Sequence, residues 1–166
     1  MTKTKSKKLS FHQRYMLKKI GRAVKTGQKI LHISNKQEDI EELLKPENFY
    51  TKQDNFENLD SGYSQIIFDL DMAALDDFAA SLDLCKKILF KNGTLIVIAT
   101  DMCSWRNKIN FLFENKLEGI NRPNRAVSAG FIRQSLLEKG FLLKNRAWKF
   151  ENKIMVIACQ NHGITY

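Results

Sequence analysis

Arg14, Lys18, Lys19, Arg22 and Lys25 recur at helical spacing, and five cations so placed attract an anion. They belong to a wider imbalance. The first 37 residues hold eleven Lys or Arg and no acid, while the rest of the chain carries sixteen basic and eighteen acidic residues and nets −2. All of the formal excess of +9 therefore sits at the amino end. That asymmetry points to nucleic acid or a ribonucleoprotein, an anionic membrane surface, or a protein partner, with plain solubility as the competing use. Lysine contacts to phosphate do not by themselves choose among these. Metal chemistry is poorly served. Cys85, Cys103 and Cys159 form no Cys-x-x-Cys pair, the three histidines are scattered, and Asp69 and Asp71 have no third acid to complete a magnesium set. No metal site is expected. The cysteines read as free thiols of a reducing compartment, which places the chain in the cytoplasm, with mitochondrial import as the alternative.

A chain of 166 residues, 43% hydrophobic and 27% charged, suits one globular domain, and no apolar run approaches the length of a membrane span. Residues 1–8 contain almost nothing that can enter a core and read as disordered. Ser10 is placed to cap a helix running to about residue 25, with Phe11, Tyr15, Met16, Ile20, Ala23 and Val24 on the apolar face and the cations on the other. Such a helix can lie on a membrane, enter a nucleic-acid groove, or pack on the domain that follows; packing is expected. The reading is a basic tail and helix over 1–27, an α/β domain over 28–160, and a short tail over 161–166.

Within that domain, strands are expected at 29–33, 65–70 and 94–99, with a weaker one at 48–52. An acidic helix over 36–44 ends at Pro46. A long helix over 73–90 carries Leu75, Phe78, Ala79, Leu82, Cys85, Ile88 and Leu89 inward, and Asn92-Gly93 makes the turn into the next strand. A helix over 105–113, a loop over 118–125 and a helix capped by Ser128 follow, the last burying Phe131, Leu136 and Leu137. Two strands, 141–150 and 153–158, close the chain through a turn at Glu151-Asn152. Alternating strand and helix imply a mostly parallel sheet with an antiparallel pair at the end.

Residues 84–99, LCKKILFKNGTLIVIA, and 127–141, VSAGFIRQSLLEKGF, carry a family resemblance. The first is similar to the helix, "vLkpGG" turn and "lvi" strand of the class I S-adenosylmethionine-dependent methyltransferases, and the second to their late "l..ll.eaGF" helix. The resemblance spans roughly 28–160 and implies a Rossmann-like α/β sheet. It also implies S-adenosylmethionine as cofactor, held near Ser34, Asn35, Asp54, Asp69 and Asp71. Each of these has a structural use as well: Ser34, Asn35 and Asp71 as caps, Asp54 as a turn residue.

This chain departs from the family at the cofactor loop. The family's first strand runs into a Gly-x-Gly turn whose bare backbone lets the cofactor approach; here 32–37 read HISNKQ, with no glycine between Gly27 and Gly62. The short interval before residue 65 also suggests that the family's second strand is lost, together with its ribose-binding acid, so that one sheet edge is shortened. The expectation is a shortened, non-catalytic binding or accessory module that binds no cofactor and uses its basic amino end for an anionic partner. A divergent active methyltransferase is the alternative. The run Ile66-Ile67-Phe68-Asp69-Leu70-Asp71 also resembles the first motif of haloacid-dehalogenase-type phosphatases, where one carboxylate attacks phosphorus and the other handles the proton. Met72 stands where that family has glycine, and Cys159-Gln160-Asn161 supplies none of its magnesium-binding acids.

Overall fold

The computed structural model describes residues 11–34, 40, 44–54, 59–70, 78–100, 128–144, 147–150 and 153–160. The expected tail over 1–8, the Ser10 cap, most of the 36–44 helix, Leu75, the 105–113 helix, the 118–125 loop, the turn at 151–152 and the 161–166 tail lie outside the described residues. So do Asn35 and Asp71.

Helix α1 (Phe11–Ala23) leads into β1 (Lys29–Ile33), a short 3-10 turn (Lys45–Glu47) and β2 (Phe49–Gln53). Then come β3 (Tyr63–Leu70), α2 (Phe78–Ile88) and β4 (Leu89–Thr100), followed by α3 (Ala129–Glu138), β5 (Phe141–Leu143), β6 (Trp148–Phe150) and β7 (Lys153–Gln160). The described strands form one sheet in the order β2-β1-β3-β4-β7-β5, with β6 also paired to β7. The first four run parallel, while β7 is antiparallel to β4 and to both short strands. This is the expected α/β sheet with its antiparallel end. Among the described residues no helix is long and apolar enough to cross a membrane.

Helices cover both faces, which is why the central strands read as unbroken apolar runs. Leu31, Ile66, Phe68, Leu95 and Val97 face α2 and α3 through Phe78, Leu82, Cys85, Ile132 and Leu136. Ile30, Ile67, Ile96 and Ile98 face α1 through Met16 and Ile20, together with Ile40 and Leu44. Helix α1 thus packs on the domain as expected, but with its apolar stripe rotated. Met16 and Ile20 are buried and Leu17, Ala23 and Val24 partly so, whereas Phe11 is 77% exposed and Tyr15 43%.

Five further expectations are corrected. The weaker strand expected at 48–52 forms as Phe49–Gln53 and pairs in parallel with Lys29–Ile33 on the outer side of β1, so the second strand is not lost, and the sheet ends there among the described residues. Helix α2 stops at Ile88, and Leu89 already pairs with Tyr63. From Leu89 the strand bulges before Thr94 pairs with Gln65, so Asn92 (φ 62°) and Gly93 lie inside β4 and do not precede it. Gly93 is required there, because a Cβ would fall 2.6 Å from Leu89 Cγ and 2.8 Å from the Phe90 carbonyl oxygen. The 141–150 strand is split into β5 and β6, which pair with opposite ends of β7. Finally, α3 is capped as expected, Ser128 Oγ accepting from the Phe131 N–H at 3.1 Å, but Ile132 is buried where Leu137 was expected, and Leu137 faces solvent.

Candidate functional site

In an open α/β sheet a ligand cleft forms at the carboxyl ends of the strands, where successive connections leave in opposite directions. Here that point lies between β1 and β3: the chain goes from β1 outward to β2, then returns to the other side of β1. Three of the expected cofactor-site residues meet at this edge. Carried one residue past the paired positions, the parallel registers set Ser34 between Asp54 and Asp69.

Their environments differ. Asp54 directly follows β2 and is exposed. Ser34 is buried at 2% exposure, and its backbone N–H donates to the Gln53 carbonyl at 3.0 Å, which ties the exit of β1 to β2. The Asp69 carboxylate is buried 3.7 Å from the Lys153 ammonium on β7, so an ion pair spans the face of β4 between them. A buried carboxylate held against a cation is a poor phosphorus nucleophile, because attack would have to break that pair without solvent.

One element of this edge was not expected. His32 on β1 is buried, and its Nδ1 shares a hydrogen bond with the Tyr50 hydroxyl on β2. The pair fastens β2 to β1 from the α1-covered side. The signal in the sequence was weak: a histidine inside an apolar run and a tyrosine in an unconvincing strand.

The cationic set sits on α1. Arg14, Lys18 and Arg22 are exposed on the helix, and Lys25 is exposed just beyond it. Lys19 is set apart from them. Its ammonium lies 5.3 Å from the Tyr15 ring centroid and 5.2 Å from that of Trp148 on β6, a cation–π bridge that holds α1 to the sheet.

No protein-family model matches the chain, and no curated protein does. Solved structures do. The N-methyltransferase NodS of Bradyrhizobium japonicum, in complex with S-adenosyl-L-homocysteine, superposes with a TM-score of 0.63 at 9% identity, over 90% of this chain and 86% of that one. The fold is that of the class I S-adenosylmethionine-dependent methyltransferases. A methyltransferase of Thermotoga maritima, described as a possible histamine N-methyltransferase, gives 0.59 at 16% identity over 90% and 92% of the two chains. The [4+2]-cyclase SpnF gives 0.60 at 9% identity over 91% and 81%. Its reaction, as named, is not a methyl transfer.

Within this methyltransferase fold, two features bear on S-adenosylmethionine. The acid that the resemblance places after the second strand has a counterpart, since Asp54 follows β2; the expectation that it is lost with the strand is corrected. The glycine cradle has none. Ser34 fills the exit of β1 with a packed side chain where the cofactor needs bare backbone. Of this loop Ser34 is the described residue, and it carries a buried side chain where the family has glycine.

Proposed function

We propose that the chain uses a methyltransferase fold as a non-catalytic binding module, with single-stranded RNA held on the outer face of α1. The observation that carries this is the rotated helix. Packing through Met16 and Ile20 fixes α1 to the sheet and turns Arg14, Lys18 and Arg22 outward beside the exposed rings of Phe11 and Tyr15. Cations that track phosphates and aromatic rings that stack on bases are the two parts of sequence-tolerant single-strand binding. The buried Ser34 supports the non-catalytic half of the reading.

The test is salt-dependent binding of single-stranded RNA to the intact protein and to an Arg14→Gln, Lys18→Gln, Arg22→Gln variant; Lys19 is spared because it holds α1. Loss of three phosphate contacts lowers the slope of log K against log salt by about 2. An unchanged slope refutes the assignment. A second reading, a divergent active methyltransferase, is favoured by Asp54 alone. Calorimetric titration with S-adenosylmethionine and S-adenosylhomocysteine decides it: saturable binding that is weakened by Asp54→Ala supports that reading, and no binding retires it.

A further inference from the structure

At the amino-terminal pole of the parallel strands, opposite the Asp54–Ser34–Asp69 edge, lies a cavity of about 260 Å³. It is below the roughly 300–1,000 Å³ of sites for drug-sized ligands. Three lysines from separate parts of the chain line it: Lys25 beyond α1, Lys91 in the β4 bulge and Lys144 just after β5. Among the described residues no Asp or Glu lines it. Like charges gathered around one space without a counter-ion repel one another, and an anion in that space reverses the sign of the interaction.

The wall is built as well as charged. Gln65 and Thr94 are paired across β3 and β4, and both are buried. The Lys144 ammonium donates to Thr94 Oγ1 at 2.9 Å, which fixes one cation at the cavity. Gln65 Oε1 is buried and has no hydrogen-bond partner among the described residues. A buried carbonyl oxygen in that state is costly unless a ligand donates to it. Gly93 adds bare main chain to the lining at a position where a Cβ has no room.

We propose that this cavity binds a small oxyanion that carries its own hydroxyl: hydrogenphosphate, or the phosphate end of a sugar phosphate. The lysines neutralise the oxyanion, and the P–OH of hydrogenphosphate or a sugar hydroxyl donates to Gln65 Oε1. Sulfate has the charge but no donor at neutral pH, so it satisfies the lysines and leaves Gln65 unmet. The site goes beyond the RNA-binding reading and shares only Lys25 with the cationic set around α1.

The test is calorimetric titration of the full chain at neutral pH and low salt with inorganic phosphate, ribose 5-phosphate and sulfate. The expected result is saturable binding of a phosphate probe, with sulfate weaker by about tenfold, the worth of one hydrogen bond to a charged ligand. Tighter binding of ribose 5-phosphate assigns a sugar phosphate, and tighter binding of inorganic phosphate assigns the free anion. A Lys91→Gln, Lys144→Gln variant, changed only at two exposed side chains, loses at least about tenfold in affinity while its melting transition stays cooperative. The Arg14→Gln, Lys18→Gln, Arg22→Gln variant keeps the phosphate affinity, which separates this site from the RNA surface. Absence of saturable phosphate binding, sulfate binding as tight as phosphate, or unchanged affinity in the Lys91/Lys144 variant overturns the proposal.

Discussion

Replacing Ile20 with Ala tests which face of α1 belongs to the core. Its side chain is fully buried in the cluster with Ile30, Ile96 and Ile98, so truncation removes apolar contacts and leaves a void under the helix. Buried Ile→Ala changes cost about 2–5 kcal/mol. Taking about 3 kcal/mol, and about 2–4 °C of melting temperature per kcal/mol for a chain of this size, the transition falls by about 6–12 °C. Phe11, at 77% exposure, is the control: Phe11→Ala costs no more than about 0.5 kcal/mol, a shift of about 1–2 °C. Thermal melts followed by circular dichroism, with urea titrations to check that the m-value is unchanged, measure both. Equal shifts in the two variants, or a larger one for Phe11→Ala, would refute the packing. The outcome also governs how binding data are read. Deleting residues 1–25 removes Met16 and Ile20 along with the cations, so lost binding in a truncated chain cannot be credited to charge.

Gly93→Ala forces a Cβ against Leu89 and the Phe90 carbonyl and should cost about 1–3 kcal/mol in a urea titration; no loss would show that the bulge is differently built. Val97→Asp buries a carboxylate at the centre of the sheet and should yield no soluble, cooperatively melting protein, which expression and calorimetry check. Burial pushes the Cys85 thiol up from its ordinary value of 9.0, so the unfolded chain loses that proton first as pH rises. Cys85 then binds more protons folded than unfolded, and stability falls by about 1.4 kcal/mol per pH unit above about pH 9. Urea midpoints measured up to pH 10 should show that slope in the natural chain and lose it in Cys85→Ala. Lys153→Met removes the cation 3.7 Å from the buried Asp69 carboxylate and should cost about 3–5 kcal/mol, whereas the joint change with Asp69→Leu should restore much of that loss in thermal melts.

The parts of the fold legible from sequence were those with one unambiguous cause. Residues 30–33, 65–69 and 94–99 are buried on both faces, and two-sided burial leaves a plain apolar run. Strand β2 is half-exposed along its length and reads FYTKQ, neither alternating nor a continuous apolar run, so it showed only as the weaker strand at 48–52. With it, Asp54 lost its place after a strand. Leu89 fits the helical spacing of α2 as well as it fits a strand, and only pairing with Tyr63 decides the matter. On α1, Phe11 and Tyr15 keep the helical period of a core stripe but face outward, because Met16 and Ile20 meet the sheet and Lys19 reaches Trp148. The cavity was least legible of all. Lys25, Lys91, Lys144 and Gln65 converge only through the sheet order, and no spacing along the chain announces them.

The antiparallel pairing of β4 with β7 sets a schedule for the chain as it is made. β4 is complete at Thr100, but the strand that covers its open edge begins at Lys153. At about 5–20 residues per second, roughly 3–10 seconds of synthesis separate the two. For that interval the run Leu95–Ala99 lacks, among the described residues, the strand that pairs with this edge, and offers it to any other nascent chain. Ribosome-bound chains halted before residue 153 are therefore the form of this protein that should recruit holding chaperones, and full-length chains carrying an added linker that lets β7 clear the ribosome should release them.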